Sequence, residues 1–60
     1  MRKKVVAPTA KDLVLKIAAN EGKTRNDFSS ALDMQRAVLP LYDVKIDADR
    51  NQYVATRKIF

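Results

Sequence analysis

The last twenty residues carry the clearest alternation of apolar and polar positions in the chain. Between residues 42 and 47 the apolar side chains Tyr42, Val44 and Ile46 alternate with charged ones, the period-two pattern of a strand with one buried face. Residues 48–51 interrupt the pattern with Asp, Arg and Asn, and residues 52–60 resume it with β-branched and aromatic side chains. The pattern predicts a C-terminal hairpin. Because a lone hairpin is marginal in water, the first forty residues or a second copy must cover its apolar face.

The beginning of the chain predicts a strand followed by a helix. Residues 3–7 form a short β-prone run that is closed by a proline, as expected for an edge strand. Thr9, with Asp12 three residues later, is typical of a helix N-terminus. We therefore expect a helix over residues 10–21. Gly22, the only glycine in the chain, stands where a left-handed C-terminal cap is wanted.

This helix has an unusually wide apolar arc. Leu15 and Ala19 extend the arc beyond a simple stripe and leave mainly Lys16 and Asn20 polar. So wide an arc predicts that the helix makes contacts on two sides. The centre of the arc consists of Leu13, Val14, Ile17 and Ala18.

A second helical region is predicted over residues 25–39. Thr24 and Asp27 repeat the capping pattern at its start, and Pro40 ends it. Asp33 is itself an acceptable N-cap, so the region is either one helix or two that meet at this residue. One face of the region carries Phe28, Ala31, Leu32, Gln35, Val38 and Leu39.

A break at Asp33 would produce a helix-turn-helix, in which the later helix lies in the major groove of DNA. Ser29 would be the small residue where the two helices touch. However, Asp33 stands where that turn usually has glycine, and Pro40 would fall inside the recognition helix. A single amphipathic helix packed on the sheet is the preferred alternative. The apolar spacing of the helix-turn-helix is met by Phe28, Leu32, Met34, Leu39 and Tyr42.

These elements predict the α+β fold class. We expect one small domain over residues 1–60, of order β-α-α-β-β or, if the second region breaks, β-α-α-α-β-β. A three-stranded antiparallel sheet then packs on two or three helices. A domain of this size buries only about 60% of the surface that its unfolded chain exposes, so self-association is expected.

Composition narrows the function classes. The chain has neither Cys nor His, which removes disulfides, the usual transition-metal ligands and most catalytic nucleophiles and bases. We expect no enzyme, no metal and no cofactor. The longest apolar stretch contains Lys16 and is too short to cross a bilayer, so the sequence predicts a soluble, cytoplasmic protein with no membrane partner.

The segment from Asp47 to Asn51 begins like a calcium-binding loop, with the pattern Asp-x-Asp-x-Asn. Gln52 occupies the place of the required glycine, and Lys58 occupies the place of the bidentate glutamate. We therefore expect a polar turn at this position and no metal site.

The C-terminal hairpin resembles that of the small phage repressors of the lambda Cro type, which also begin with a short strand followed by helices. In that family the last strand pairs with its twofold mate, and a near-terminal Phe enters the partner's core. The resemblance implies a homodimer with Phe60 in its interface, and the apolar end of the last strand adds Ile59 to the predicted contact. It is carried by Ile46, Asp47, Ala48 and Asp49, followed by Tyr53, Lys58 and Phe60.

Charge favours a polyanionic partner. Twelve Lys and Arg against seven Asp and Glu leave a net charge of +5. If the hairpin acts as a wing, its cations would contact DNA phosphates, while the second helical region would reach phosphates or base edges. The predicted nucleic-acid contacts are Arg25, Gln35, Arg36, Lys45, Arg50, Arg57 and Lys58.

The leading interpretation is a small basic DNA-binding regulatory protein. Two alternatives stay open. The first is a protein-binding module or inhibitor that docks another protein through an apolar helix face or strand edge, with its charge incidental. The second is an RNA-binding module. Tyr42 and Tyr53 offer rings that could stack on single-stranded bases, but one aromatic on each strand is more typical of a core, which is the preferred interpretation of both.

Overall fold

The computed structural model describes residues 2–58 and shows the predicted α+β class with two α-helices. The three strands form one antiparallel sheet, and the helices pack on one of its faces. The elements in chain order are β1 (Lys4–Ala7), α1 (Ala10–Asn20), a 3₁₀ helix (Arg25–Asp27), α2 (Ala31–Val38), a second 3₁₀ helix (Leu39–Leu41), β2 (Tyr42–Asp47) and β3 (Gln52–Arg57).

The sheet has the order β1-β3-β2, so the last strand lies in the middle. Ala55 is paired with Val5 on one side and with Val44 on the other. The hairpin β2–β3 is local in sequence, whereas β1 joins it from the opposite end of the chain. Both β1 and β2 are consequently edge strands.

The first helix begins as the sequence predicts. The Thr9 hydroxyl accepts a hydrogen bond from the amide of Asp12 at 3.1 Å, which satisfies one of the amide groups at the helix N-terminus. The acidic side chain of Asp12 lies in the first turn, where the helix dipole favours it. The N-terminal boundary is thus decided by local sequence.

The first helix ends one residue earlier than predicted, at Asn20. Gly22 adopts a φ of 78°, the left-handed conformation that glycine adopts without steric cost. Its amide donates to the carbonyl of Ala19 at 3.0 Å, and the amide of Lys23 donates to that of Ala18 at 2.9 Å. This pair of hydrogen bonds is a Schellman motif, and it turns the chain away from the helix axis.

The second helical region contains one α-helix, as the order β-α-α-β-β predicts, but this helix begins later than residue 25 and no break occurs at Asp33. The capped segment after Thr24 is only a short 3₁₀ helix, and Phe28 has extended backbone angles of −125° and 149°. The α-helix starts later because the Ser30 hydroxyl caps it, accepting from the amide of Asp33 at 3.1 Å. Asp33 therefore lies in the first turn of α2, and its carboxylate accepts a hydrogen bond from the Ser29 hydroxyl.

The predicted recognition helix through Pro40 is absent as well. Pro40 belongs to the 3₁₀ helix that follows α2, and Tyr42 is the first residue of β2. Proline lacks the amide needed to continue an α-helix. The α-helix therefore ends before Pro40, and the chain forms a 3₁₀ turn and then a strand. A turn at Asp33 followed by a long recognition helix is thus excluded.

The core lies between α1, α2 and the inner face of the sheet. On α1 the predicted centre of the apolar arc is buried, whereas Ala19 is exposed and Leu15 is 38% exposed. The helix contacts both the sheet and α2, as the wide arc predicts, while the outer part of the arc is exposed. The buried residues are Val5, Ala7, Leu13, Val14, Ile17, Ala18, Met34, Val38, Tyr42 and Ala55.

The inner face of β2 is covered at one end only. Tyr42 is 2% exposed, but Val44 is 39% and Ile46 is 72% exposed. The three side chains alternate as predicted, but the first forty residues cover their apolar face only in part. Tyr53, which is paired with Ile46, packs against the core, so the exposed apolar surface of the distal hairpin lies on the β2 side.

The helix start at Ser30 generates a stability prediction. Ser30→Ala removes the side-chain acceptor of the N-cap and should lower the free energy of unfolding by about 1 kcal/mol. Ser29→Ala is the matched control, because its hydroxyl contacts only the exposed Asp33 carboxylate. Urea denaturation followed by circular dichroism measures both. A neutral or stabilising Ser30→Ala would indicate instead that residue 30 lies inside a continuous helix.

Candidate nucleic-acid interface

Two of the predicted nucleic-acid contacts, Gln35 and Arg36, lie on α2, where Gln35 also lines an apolar groove beside the hairpin. Met34 and Val38 turn into the core, one helical turn apart, and thereby fix the orientation of the helix. Gln35 and Arg36 are exposed. Together they place an amide and a guanidinium on the same helix, next to one another in the sequence.

Arg25 lies just before α2, at the start of the first 3₁₀ helix. This short helix is held by the amide of Thr24, which donates to the Asp27 carboxylate at 2.7 Å. The guanidinium of Arg25 donates to the carbonyl of Phe28 at 3.1 Å. Arg25 is exposed and oriented by its own backbone, so it retains donors for a phosphate.

The hairpin cations occupy different faces. Lys45 alternates with Val44 and Ile46 and therefore lies on the open face of the sheet, opposite the helices. Arg50 is exposed in the turn between β2 and β3, and Lys58 is exposed just after β3. The structure thus does not gather the predicted contacts into one patch.

The turn at the hairpin tip is a polar turn, as predicted. The amide of Arg50 donates to the Asp47 carboxylate at 3.4 Å, and Asn51 has a φ of 52°. Asparagine tolerates this left-handed conformation better than most residues. Within residues 2–58 there is no group of three or more metal-ligating Asp, Glu, His or Cys side chains.

Arg57 has a structural role within the fold, and its assignment as a DNA contact stays a prediction. It shares the inner face of the sheet with Ala55, and its guanidinium pairs with the Glu21 carboxylate. Nε donates to Oε2 at 3.0 Å and Nη2 donates to Oε1 at 2.9 Å, a bidentate arrangement. The side chain is only 17% exposed, because it lies over the Tyr42 ring at 5.8 Å from the centroid.

The pair belongs to a larger polar cluster at the base of the hairpin. The Tyr42 hydroxyl donates to the Glu21 carboxylate at 2.7 Å and accepts from the Asn20 amide at 2.6 Å. Asn20 also exchanges two hydrogen bonds with the backbone of Arg2, at 2.6 and 2.7 Å. The Glu21 cluster, formed by these residues with Arg57, joins the end of α1 to the start of β2, the end of β3 and the backbone before β1.

The cluster shifts the ionisation of its members. Hydrogen bonds from Arg57 and then Tyr42 lower the pKa of Glu21, outweighing the opposing effect of burial. Burial is the largest cause of a raised pKa at Tyr42, and the neighbouring Glu21 adds to it. Sequence reasoning missed this cluster because 36 residues separate Glu21 from Arg57.

An open apolar groove lies between the helices and the distal hairpin. It has a volume of about 350 Å³ and extends from the start of α1 across α2 to the inner face of β2 and β3. Val44 and Tyr53 form its sheet side, and Met34 and Leu39 form part of its helix side. Leu32, also on α2, is a further exposed apolar side chain, with 51% of its surface exposed.

The predicted self-association residues Ile59 and Phe60 lie outside the described part of the chain. Within Gln52–Arg57, however, β3 is already paired on both sides. A second copy therefore cannot add to these residues by strand pairing. The Cro-like dimer stays a prediction that would have to involve residues beyond Lys58.

No family model, curated protein or solved structure matches this chain. None of the helices within residues 2–58 is long and apolar enough to span a membrane.

The Glu21 cluster generates a prediction about pH. Because the pKa of Glu21 is lower in the folded state, its stabilising effect is present above the ordinary pKa of 4.5 and is lost as pH falls through the folded value. Glu21→Gln should lower the free energy of unfolding at neutral pH. The difference from the wild type should shrink in acid.

Urea denaturation at neutral and acidic pH measures this difference. Asp49→Asn is the matched control, since it removes one exposed carboxylate from the hairpin tip. A difference between wild type and Glu21→Gln that is independent of pH would contradict a stabilising charged pair and indicate a packing effect alone.

Proposed function

We propose that the protein binds duplex DNA through α2, the 3₁₀ helix before it and the tip of the hairpin, as a regulatory protein. The observation that carries this proposal is the exposure of Gln35 and Arg36 on a short, capped helix that leads directly into a hairpin. A helix presented in this way fits the width of the major groove, and a hairpin beside it reaches the flanking backbone. The parallel with known DNA-binding folds is an analogy of architecture.

The distribution of charge supports this choice of partner. Apart from Arg57, all Lys and Arg side chains of the chain are exposed, and Arg57–Glu21 is the ion pair seen within residues 2–58. Two carboxylates near α2, those of Asp27 and Asp33, stand in first turns of helices. Helix N-termini stabilise negative charge at such positions.

The predicted contacts lie on different parts of the molecule, and we assign them different roles. Arg25, Arg36 and Arg50 would neutralise phosphates, and Gln35 would pair with an adenine edge, for which a carboxamide is suited. Lys45 lies on the opposite layer, between Asp43 and Asp47, and Lys58 lies beyond β3. We therefore narrow the proposed interface to the first four residues.

The salt dependence of binding tests this interface. Three phosphate contacts imply a slope of about −2.7 in the logarithm of the binding constant against that of salt concentration. Arg25→Gln, Arg36→Gln and Arg50→Gln combined should nearly abolish the slope and the binding to a duplex. Fluorescence anisotropy between about 50 and 200 mM salt measures both quantities.

The matched control removes the same charge elsewhere. Lys3→Gln, Lys4→Gln and Lys58→Gln combined lower the net charge equally but change the β1 side and the end of β3. This variant should still bind the duplex and should retain most of the salt dependence of the binding constant. An equal loss in both variants would show attraction by net charge alone, and absence of binding in the intact protein would favour protein docking at the apolar groove.

Sequence selectivity depends on Gln35. Gln35→Ala should leave the salt slope unchanged but reduce discrimination among duplex sequences, at a cost of about 1–3 kcal/mol for the preferred one. Selection from a random duplex library with the intact protein and the variant measures this. Identical, unselective binding by both would indicate architectural DNA binding without base readout.

A further inference from the structure

The helices cover the inner face of the sheet unevenly. α1 lies over β1 and β3, whereas α2 packs chiefly on α1 and on the 3₁₀ helix that leads into β2. Val44 and Ile46 of β2 face the helix layer, yet they are 39% and 72% exposed. The helix layer is therefore incomplete above the distal half of β2.

Apolar surface continues along this uncovered part of the sheet. The apolar groove reaches Val44 and Tyr53 on its sheet side and Leu39 on its helix side. Tyr53 also lines a second cavity of about 300 Å³, together with Ile46 and Pro8. Because Tyr53 belongs to both cavities, these five residues form one elongated surface, the β2 strip. An elongated partner covers such a surface better than a compact ligand does.

The spacing along the β2 strip matches one face of an α-helix. Val44 and Ile46 lie about 7 Å apart, because a strand rises about 3.4 Å per residue. Side chains at positions i and i+4 of an α-helix lie about 6 Å apart along its axis. A helix laid along β2 therefore places one apolar side chain near each of these residues, and a third side chain, one turn further on, enters the groove.

Charge indicates which kind of helix fits the β2 strip. Lys11 lines the groove, and no carboxylate within residues 2–58 lines either cavity. The chain as a whole carries a net charge of +5, so two copies repel each other and an acidic partner is attracted. Carboxylates on the polar face of a docked helix would meet the Lys11 ammonium at the rim of the groove.

We propose that the β2 strip is the docking site for an acidic amphipathic helix of another protein. The apolar face of that helix packs on Val44, Ile46 and Tyr53 and completes the helix layer over the sheet. Binding of a helix in a groove is a common mode of recognition, in which apolar side chains at positions i, i+3 or i+4, and i+7 are the anchors. The proposal does not depend on DNA binding, and all its tests are made without nucleic acid.

Selection from a random peptide library tests the chemistry of the partner. The library displays peptides of about 16 residues, just over four helical turns, and the intact protein is the immobilised target. Enriched peptides should carry a net negative charge and apolar residues at the i, i+4, i+7 spacing. Enrichment of basic or strictly alternating peptides, or no enrichment at all, would overturn the proposal.

Two matched valines test the place of docking. Val44→Ser should weaken binding of the most enriched peptide about tenfold in fluorescence anisotropy, because it removes apolar surface from the contact. Val6→Ser is the control, since Val6 is 40% exposed on the opposite face of the sheet. It should leave the affinity unchanged. An equal loss in both variants, or none at Val44→Ser, would overturn the proposal.

Ile46→Ser is a second variant in the β2 strip, at a side chain that is already 72% exposed. It should also weaken peptide binding about tenfold. Circular dichroism of each variant establishes that the compared chains are folded. Unchanged affinity of a folded Ile46→Ser variant would overturn docking along β2.

Exchange of charge tests the role of Lys11. Lys11→Glu should weaken binding of the enriched peptide about threefold, as expected for one exposed ion pair. A form of the peptide in which Lys replaces the acidic residues should prefer the Lys11→Glu variant to the wild type. Lys4→Glu makes the same change on the open face of the sheet and is the control. A charge-reversed peptide that still prefers the wild type would overturn the proposed complementarity.

A second copy of the chain is the alternative occupant of the β2 strip. Sedimentation equilibrium of the intact protein, with and without the enriched peptide, tests it. A dimer that both the peptide and Val44→Ser dissociate would assign the strip to self-association and overturn the proposal. A monomer that binds one peptide would support it.

Discussion

The central position of β3 is the constraint on which the rest of the fold depends. Ala55 lies between Val5 and Val44 and is fully buried, so the two ends of the chain are joined at a small residue. A small side chain there lets α1 approach the sheet, and Ile17 of that helix is likewise fully buried. Without the pairing of β1, the local hairpin would have no third strand and too little covered surface to be stable.

The Glu21 cluster fixes how this sheet meets the helices. It joins the end of α1 to the first residue of β2 and the last residue of β3 at the same point. Arg57 makes its hydrogen bonds to Glu21 beside the Tyr42 ring, where fewer waters compete for them than at a fully exposed pair. Net charge alone would assign Arg57 to contact with a polyanion. In the fold its guanidinium is bonded to Glu21.

The small size of the domain explains what remains exposed. Two short helices cover the base of the hairpin and leave Val44 and Ile46 in contact with solvent. The same shortage leaves a groove beside α2, and it leaves the distal half of the edge strand β2 exposed. Exposed apolar surface and an open edge on the same strand are features that association with another chain would cover.

The sequence by itself determined the elements whose signals are local. The alternation in β2, the Thr9 cap and the left-handed Gly22 each depend on residues within a few positions, and the structure has all three. The start of α2 was missed because Asp27, Ser30 and Asp33 offer competing local signals of similar energy. Asp27 supports only a 3₁₀ turn, and packing of Met34 and Val38 then favours the helix that Ser30 caps.

Only the tertiary structure decided the roles of individual charges. Alternation places Arg57 and Lys45 on opposite faces of the hairpin, but which face the helices cover depends on how β1 and α1 pack against it. The pairing of Arg57 with Glu21 joins residues 36 positions apart, and no local preference encodes such a contact. Local sequence selects backbone conformation because its interactions span one turn or one hairpin, whereas side-chain partners across the sheet exist only once the chain has folded.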